Sequence, residues 1–127
     1  NIQFIESVPY TALNDYLQQA DLVLGIFGHT PKTLRVIPNK VYQALCAQKC
    51  VLTGDSPAIR EFFVPDQDLS VCACGDSQAI ADQILKLKSQ RNRCLELARN
   101  GREAFVSKLS EEKMIERFNG ILKEIWS

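Results

Sequence analysis

Three cations surround a predicted helix start in the first third of the sequence. Lys32 and Arg35 precede Pro38, and Lys40 follows it by two residues. A proline cannot continue an upstream helix and Asn39 is a favourable N-cap, so the sequence predicts a helix that begins near Asn39. The first N–H groups of a helix have no intrahelical acceptor, and they carry the positive end of the helix dipole. Together with the cations they predict an anion site, for which phosphate is the usual ligand; the bland alternative is a solvated basic loop.

Composition limits the class of protein to which these residues belong. The 127 residues suffice for one domain, and 46% hydrophobic with 24% charged residues is typical of a soluble globular protein. The net charge is zero, so no overall field attracts nucleic acid, and anion binding has to come from a local arrangement. Five cysteines with a single histidine do not match a structural zinc site. We therefore predict reduced thiols, a cytoplasmic location, no nucleic-acid partner and no metal.

Apolar strand-like segments alternate with amphipathic helix-like segments over residues 1–75. The strands are predicted at residues 2–8, 22–27, 50–53 and 69–73, and the helices between them at 11–20, 39–48 and 56–63. Residues 76–127 have the apolar spacing of helices alone. This order predicts an α/β fold: a Rossmann-like parallel sheet of about four strands flanked by helices, with a helical carboxyl-terminal tail, in one domain over 1–127.

The predicted fold and the predicted anion site agree on location. Parallel sheets bind ligands beyond the carboxyl ends of their strands, and the long loop 28–38 follows such an end. Gly28 and His29 begin this loop, so His29 is a candidate contact to a bound substrate, or else an exposed or structural histidine. Asp55 follows the next strand, where it could meet a hydroxyl group of the ligand or take part only in the turn and helix cap.

Four stretches carry a family resemblance through their order and spacing. They are residues 8–10 (Val-Pro-Tyr), 20–25 (Ala-Asp-Leu-Val-Leu-Gly), 35–45 (Arg-Val-Ile-Pro-Asn-Lys-Val-Tyr-Gln-Ala-Leu) and 51–61 (Val-Leu-Thr-Gly-Asp-Ser-Pro-Ala-Ile-Arg-Glu). They resemble the carboxyl-terminal, donor-binding domain of GT-B glycosyltransferases, most of all the family-4 enzymes with nucleotide-sugar donors. The resemblance reaches motif detail over residues 1–60.

The resemblance implies a function for the parent protein. It implies a domain, truncated at its amino terminus, that binds a nucleotide-diphosphate sugar for transfer to an unknown acceptor, with retention and without a cofactor. The acceptor domain lies outside the sequence, so we expect no transferase activity from this chain alone. Peripheral membrane association of the parent stays open. The alternative is a non-catalytic nucleotide- or phosphate-binding Rossmann-like module.

The resemblance also assigns roles to residues. The family places two glutamates eight positions apart at the donor, and Arg35 and Gln43 occupy those positions here. Gln43 can bond the ribose hydroxyls through its amide, or is simply a surface residue of the helix, whereas Arg35 favours a diphosphate or an acidic sugar. Tyr10 would stack on the base, or else pack in the core or at a hinge. The stretch whose backbone N–H groups meet the distal phosphate in the family corresponds to Ile37, Pro38, Asn39 and Lys40.

The predicted strand order leaves a gap in the sheet. In the order 3-2-1-4-5-6, residues 2–8 would be the third strand and residues 22–27 the fourth, so the two strands between them are missing. The strand at 22–27 would then have an open edge. We expect that the first strand moves, or that a missing segment or a second copy fills the gap, as a dimer or by strand exchange.

Overall fold

Three short strands and seven α-helices make up the computed structural model, which describes residues 2–127. A 3₁₀ turn over Tyr10–Ala12 leads directly into the first helix. The strands are β1 (Val23–Leu24), β2 (Val51–Gly54) and β3 (Ser70–Cys72). The helices are α1 (Leu13–Gln19), α2 (Pro31–Leu34), α3 (Asn39–Cys46), α4 (Pro57–Phe62), α5 (Ser77–Ser89), α6 (Arg91–Leu109) and α7 (Glu111–Trp126).

The strands form one parallel sheet in the order β1-β2-β3. Val23 pairs with Val51, and Leu52 pairs with Leu24 on one side and Ser70 on the other. Parallel neighbours need a crossover, which α3 provides between β1 and β2 and α4 provides between β2 and β3. The predicted α/β class with helices around a parallel sheet is confirmed, and so is the helical tail, which consists of α5, α6 and α7.

The predicted strand at residues 2–8 does not form, so the sheet has three strands instead of about four. Ile2 and Phe4 are 84% and 92% exposed, and residues 2–9 form no ladder with β1, β2 or β3. The apolar alternation of this segment suits a strand, but a strand also needs a neighbour for its backbone hydrogen bonds. In the predicted strand order two strands lie between this segment and β1, and residues 2–127 contain neither of them. The segment therefore has no partner at its place in the sheet, and one edge of β1 stays open.

Side chains from β2 enter the core on both faces of the sheet. All four residues of β2 are buried, and successive residues point to opposite faces: Val51 lies in one apolar cluster and Leu52 in another. The first cluster contains Val41, Ala44, Leu45, Val51, Ile59, Phe63, Leu69 and Ala104. The second contains Cys50, Leu52, Cys72, Leu87 and Leu97. Because α3 and α4 supply the first cluster, the position of both helices is set by the core.

Side-chain caps fix the starts of four helices, among them α4, α5 and α7. Ser56 accepts a hydrogen bond from the N–H of Ile59 at the start of α4. Asp76 accepts bonds from two N–H groups at the start of α5, and Ser110 caps α7. None of the helices within residues 2–127 combines the length and the apolar character needed to cross a membrane.

Candidate functional site

The connections that follow the three strands meet at the carboxyl edge of the sheet. The N–H of Gly54 donates to the carbonyl of Ile26 over 2.8 Å, and the N–H of Gly75 donates to that of Phe27 over 2.6 Å. The buried hydroxyl of Thr53 donates to the same Ile26 carbonyl over 3.2 Å. These bonds hold the loop after β1 against the ends of β2 and β3. Candidate residues on all three connections therefore share one edge of the sheet.

Helix α3 begins at this edge with two free backbone donors. Pro38 is the N-cap, with the extended φ of −71° and ψ of 149°, and its carbonyl accepts the N–H of Val41 over 2.9 Å. The prediction of Asn39 as the N-cap is wrong, because the extended Pro38 already fills that position and Asn39 is the first helical residue. The Asn39 side chain forms no cap bond. Among residues 2–127, the N–H groups of Asn39 and Lys40 have no hydrogen-bond acceptor.

The three candidate cations lie along the connection from α2 to α3. Lys32 lies within α2, Arg35 ends it, and Lys40 is in the first turn of α3. All three side chains are exposed, and within the described chain none forms an ion pair or a side-chain hydrogen bond. Their charges are therefore available to a ligand at the start of α3.

Residues 28–38, predicted as one loop, contain the short helix α2. Pro31 occupies its first turn, and the Thr30 hydroxyl accepts the N–H of Thr33 over 3.3 Å. Gly28 precedes this turn, and a Cβ atom at Gly28 would lie 3.0 Å from the Thr33 methyl group. The absence of a side chain at Gly28 thus lets the chain fold back tightly on α2.

Gln43 faces a cleft of about 230 Å³ between α1 and α3. Tyr10 stands on the opposite side, and it is 81% exposed, so the prediction that Tyr10 packs in the core is wrong. Tyr10 is exposed because residues 2–9 before it form no strand and leave its ring without a covering element. The remaining lining residues are Leu13, Asn14, Leu17, Cys46 and Ala47. An apolar wall, an exposed ring and two amides, those of Gln43 and Asn14, therefore lie around the same space.

His29 lies over Gly75, in the turn after β3. Gly75 has a φ of +75°, and a Cβ atom there would lie 2.5 Å from Nδ1 of His29. The imidazole is exposed at the carboxyl edge of the sheet, beside the end of β1. The structure thus brings Gly28 and His29 to the same edge as the start of α3.

Asp55 is held by Arg60 on α4. The guanidinium donates to both carboxylate oxygens, Nε to Oδ1 over 2.7 Å and Nη2 to Oδ2 over 2.6 Å. This double hydrogen bond, and then the charge of Asp55, raises the pKa of Arg60. The backbone of Asp55 is fixed as well, because its carbonyl accepts the Cys74 thiol over 3.3 Å. The Asp55 carboxylate is therefore paired with Arg60 in this structure.

Ile37 and Pro38 position the site through packing. Ile37 is partly buried against the cluster that contains Val41 and Leu45. Pro38 follows directly and sets the entry of the chain into α3. The two residues thereby fix the direction in which the free N–H groups of α3 point.

Arg60 is the residue at this edge that the sequence does not reveal. Sequence proximity suggests a pair with Glu61, but neighbouring helical residues point in different directions. Glu61 instead lies 3.9 Å from Arg117 on α7. The available signal was the position of Asp55 directly before the Ser56-Pro57 helix start, which places it one turn below Arg60.

Metal chemistry has no candidate ligand set in the described part of the chain. No three His, Cys, Asp or Glu side chains of residues 2–127 lie close enough to hold one ion. The carboxyl edge therefore offers cations, backbone N–H groups, an amide and an imidazole. Such a set suits an anionic, hydroxyl-bearing ligand.

Comparison with known proteins agrees with this fold. Sucrose-phosphate synthase from Thermosynechococcus elongatus superposes with a TM-score of 0.80 at 14% identity, over 98% of this chain and 30% of that one. The C-terminal domain of a glycosyl transferase group 1 family protein (LpcC) from Francisella tularensis gives a TM-score of 0.63 at 21% identity, over 87% of this chain and 53% of that one. No curated protein matches in sequence.

The chain thus spans 30% and 53% of the length of these two solved chains. At such identities the likeness concerns the fold, in which a parallel sheet is flanked by helices. The sequence pattern that defines the family "Glycosyl transferases group 1" matches residues 1–104. Because this match covers most of the 127 residues, the chain belongs to the glycosyl transferases group 1 family, with the fold of a GT-B carboxyl-terminal domain.

Proposed function

We propose that this chain is the donor-binding part of a glycosyltransferase, and that its ligand is a nucleotide-diphosphate sugar. The observation that carries the proposal is the start of α3. There, the free N–H groups of Asn39 and Lys40 lie at the carboxyl edge of the sheet, in a chain of the glycosyl transferases group 1 family. Transfer with retention is part of the proposal and is supported by the family-4 resemblance.

The diphosphate would bind at the start of α3. Two free N–H groups and the positive end of the helix dipole attract an anion, and Lys40 adds a full charge in the same turn. Lys32 and Arg35 are exposed nearby in sequence and are not neutralised within residues 2–127. The same groups would stabilise the charge that develops on the diphosphate when it leaves the sugar.

The nucleoside would occupy the cleft between α1 and α3. Gln43 lies one turn beyond Asn39, so a ligand with its phosphate at the helix start would bring its ribose close to Gln43. The amide can accept a bond from one ribose hydroxyl and donate one to the other. The exposed ring of Tyr10 across the cleft offers a surface on which a base can stack.

Arg35 makes the donor site differ from one with a glutamate at that position. A guanidinium binds phosphate or carboxylate through two parallel hydrogen bonds, and it is always charged. We therefore propose that Arg35 binds the diphosphate or the acid group of an acidic sugar. His29, exposed at the same edge, is the proposed second contact to the sugar.

The acceptor would be bound by a second domain outside this chain. This chain covers only 30% of the sucrose-phosphate synthase chain with which it superposes, which is consistent with a second domain. In GT-B enzymes the reaction takes place between two domains, so we expect no sugar transfer by residues 1–127 alone.

Binding of nucleotides to the full-length protein tests the donor site. Uridine, guanosine and adenosine diphosphates are titrated against the protein by calorimetry, with the matching nucleosides as controls. At least one diphosphate should bind more tightly than its nucleoside, because only the diphosphate meets the cations and the N–H groups. If no nucleotide binds even at millimolar concentration, the proposal of a donor site is wrong. Equal affinities for the nucleoside and its diphosphate would contradict binding of the diphosphate at the start of α3.

A non-catalytic nucleotide- or phosphate-binding module is the second candidate function. It is favoured by one observation, namely that both positions of the family's donor glutamates carry other residues, Arg35 and Gln43. Measuring hydrolysis of sugar donors by the full-length protein separates the two functions. A module binds the nucleotide and releases no sugar, whereas an enzyme releases sugar slowly to water.

A further inference from the structure

A second and larger cleft lies at the opposite edge of the sheet from the candidate donor site. It has a volume of about 560 Å³ and lies between the amino-terminal ends of β1 and β2 and the helices α5 and α6. Leu22 and Ala98 belong to its apolar lining. Three cations, Lys49, Lys88 and Arg91, surround it together with a single carboxylate, Asp21. The cleft therefore combines an apolar interior with a net positive rim.

Two thiols line this cleft together. Cys50 directly precedes β2 and is only 3% exposed, and Cys94 lies in the first turns of α6 and is partly buried. Both pack in the apolar cluster formed with Leu52, Leu87 and Leu97. The Cys94 thiol donates a weak hydrogen bond to the Leu87 carbonyl over 3.4 Å.

The raised pKa of Cys50 is consistent with the proximity of Cys50 and Cys94 in the wall of the cleft. Burial raises the pKa of the Cys50 thiol, and the charge and hydrogen bond of the neighbouring Cys94 raise it further, to about 12. Cys50 is therefore a neutral thiol at physiological pH. Cys94 is the more accessible of the two, because it lies in the wall of the cleft while Cys50 is almost completely covered.

We propose that Cys50 and Cys94 form a redox pair that closes to a disulfide when a small anionic disulfide enters the cleft. The positive rim selects the anionic reagent, since Lys88 and Arg91 are exposed and outweigh Asp21. The bond joins the start of β2 to α6, two elements 44 positions apart in sequence. This modification site is separate from the donor site, because the two lie at opposite ends of the strands.

The reaction is a thiol–disulfide exchange in two steps. In the first step the Cys94 thiolate attacks one sulfur of the small disulfide, and one small thiolate leaves as a Cys94 mixed disulfide forms. In the second step Cys50 gives up its proton and attacks the Cys94 sulfur, and the second small thiolate leaves. The two protein thiols are oxidised, the small disulfide is reduced to two thiols, and both protein protons end on those thiols.

The decisive experiment uses the unaltered protein with oxidised glutathione as the probe. After reaction, the remaining thiols are alkylated and the tryptic peptides are mapped by mass spectrometry. The expected product is a peptide pair joined through Cys50 and Cys94 that disappears on reduction. If that pair is absent, or if Cys72 and Cys74 become linked first, the proposal is overturned.

Variants then test the order of the steps and the role of the rim. Cys50→Ser should trap glutathione on Cys94, Cys94→Ser should give neither product at these positions, and Cys46→Ser, a change at an exposed cysteine, should leave the link unchanged. Glutathione found mainly on Cys50 of the Cys94→Ser variant would contradict the assigned order.

For the rim, Lys88→Glu with Arg91→Glu should slow the reaction with oxidised glutathione about tenfold at low salt. It should leave the rate with uncharged hydroxyethyl disulfide unchanged. An equal decrease of the rate with both reagents would contradict the proposal that the positive rim selects an anionic disulfide.

Discussion

Gly25 lies where β1 approaches the end of β2 most closely. Its N–H donates to the carbonyl of Leu52 over 2.8 Å, and the residue is buried. A Cβ atom at Gly25 would lie 2.6 Å from Cβ of Thr53 and 3.1 Å from the Val41 side chain. Thr53 cannot move away cheaply, because its hydroxyl is bonded to the backbone of Ile26. The close approach at Gly25 therefore supports the whole carboxyl edge.

Gly25→Ala should destabilise the protein by about 1–3 kcal/mol, the usual cost of forcing an extra methyl group into a packed core. The matched control is Gly120→Ala in α7, where a Cβ atom would meet nothing within 4 Å. That change should stabilise the helix by about 0.5–1 kcal/mol, because alanine is the better helix former. Urea unfolding measures both. A Gly25→Ala variant as stable as the unaltered protein would contradict the close contact with Thr53.

Lys40 and Gln43 are proposed to bind different halves of the ligand, Lys40 the diphosphate and Gln43 the nucleoside. Lys40→Ala should weaken binding of the nucleoside diphosphate about tenfold, because a charge-assisted contact is lost. Gln43→Ala should weaken binding of the free nucleoside by less, because only neutral hydrogen bonds are lost. Calorimetric titration of the full-length variants measures both effects.

The control for Lys40 is Lys123→Ala, a change at an exposed lysine on α7 that should not affect either affinity. A Lys40→Ala variant that behaves like Lys123→Ala would contradict the phosphate role of the α3 start.

At the scale of elements, α6 and α7 differ sharply in how they are held. Helix α6 buries Leu97, Ala98, Gly101 and Ala104, whereas α7 has no buried residue. An ion pair and a cation–π contact of Arg117 connect α7 to α4, the latter over 5.4 Å to the ring of Phe62. Most of its apolar face is exposed, up to Trp126 at 77%, and Leu122 is half-buried.

This difference predicts uneven hydrogen exchange along the tail. Amides of α7 should be at least about tenfold less protected than those in the middle of α6, because helices with little buried surface open locally. Exchange measured by NMR or mass spectrometry tests this, with α6 as the internal reference of similar length. Protection of α7 equal to that of α6 would mean that another surface covers its apolar face.

The sequence was most informative where local chemistry and core packing agree. The strands near Leu22, Cys50 and Leu69 were predictable because their residues are apolar on both faces, and the start of α4 because Ser56-Pro57 is a strong cap signal. Residues 2–8 have the apolar alternation of a strand but form no strand, because alternation does not reveal whether a partner strand is present.

The same limits apply to the candidate site. The position of the α3 start could be predicted to within one residue, because Pro38 determines it whether the N-cap is Pro38 or Asn39. Helix α2 was missed although Thr30-Pro31 is a cap signal like Ser56-Pro57, since four residues are too few for an apolar period. The exposure of Tyr10 depends on tertiary packing, which no local pattern contains, whereas the pair of Asp55 with Arg60 spans only five positions around the start of α4.

At the scale of the whole molecule, the two ends of the sheet have different chemistry. The carboxyl edge presents cations and free N–H groups from α2 and the start of α3, while the amino edge presents an apolar cleft with two thiols. With a net charge of zero, neither is produced by an excess of one sign over the molecule. Cys50 is buried in the core near the amino edge, so ionisation of its thiol affects the stability of the whole protein.

Cys50 should make the protein less stable at alkaline pH. Burial, followed by the effect of Cys94, raises its pKa from the ordinary 9.0 to about 12, so between these values the unfolded chain loses a proton that the folded chain keeps. The unfolded state then binds fewer protons, and the free energy of unfolding falls by up to about 1.4 kcal/mol per pH unit. Below pH 9 both states hold the proton, and Cys50 contributes no pH dependence.

Urea unfolding of reduced protein, from neutral pH into this window, tests the effect with a matched pair of variants. Cys50→Ser removes the thiol and should flatten the alkaline decline, whatever constant cost the buried hydroxyl adds at all pH values. Cys46→Ser removes an exposed thiol and should keep the decline of the unaltered protein. The raised pKa values of Tyr42, Cys72 and Cys74 act in the same direction, but they are common to both variants. Identical pH dependence in the two variants would show that Cys50 ionises as readily in the folded protein as in the unfolded chain.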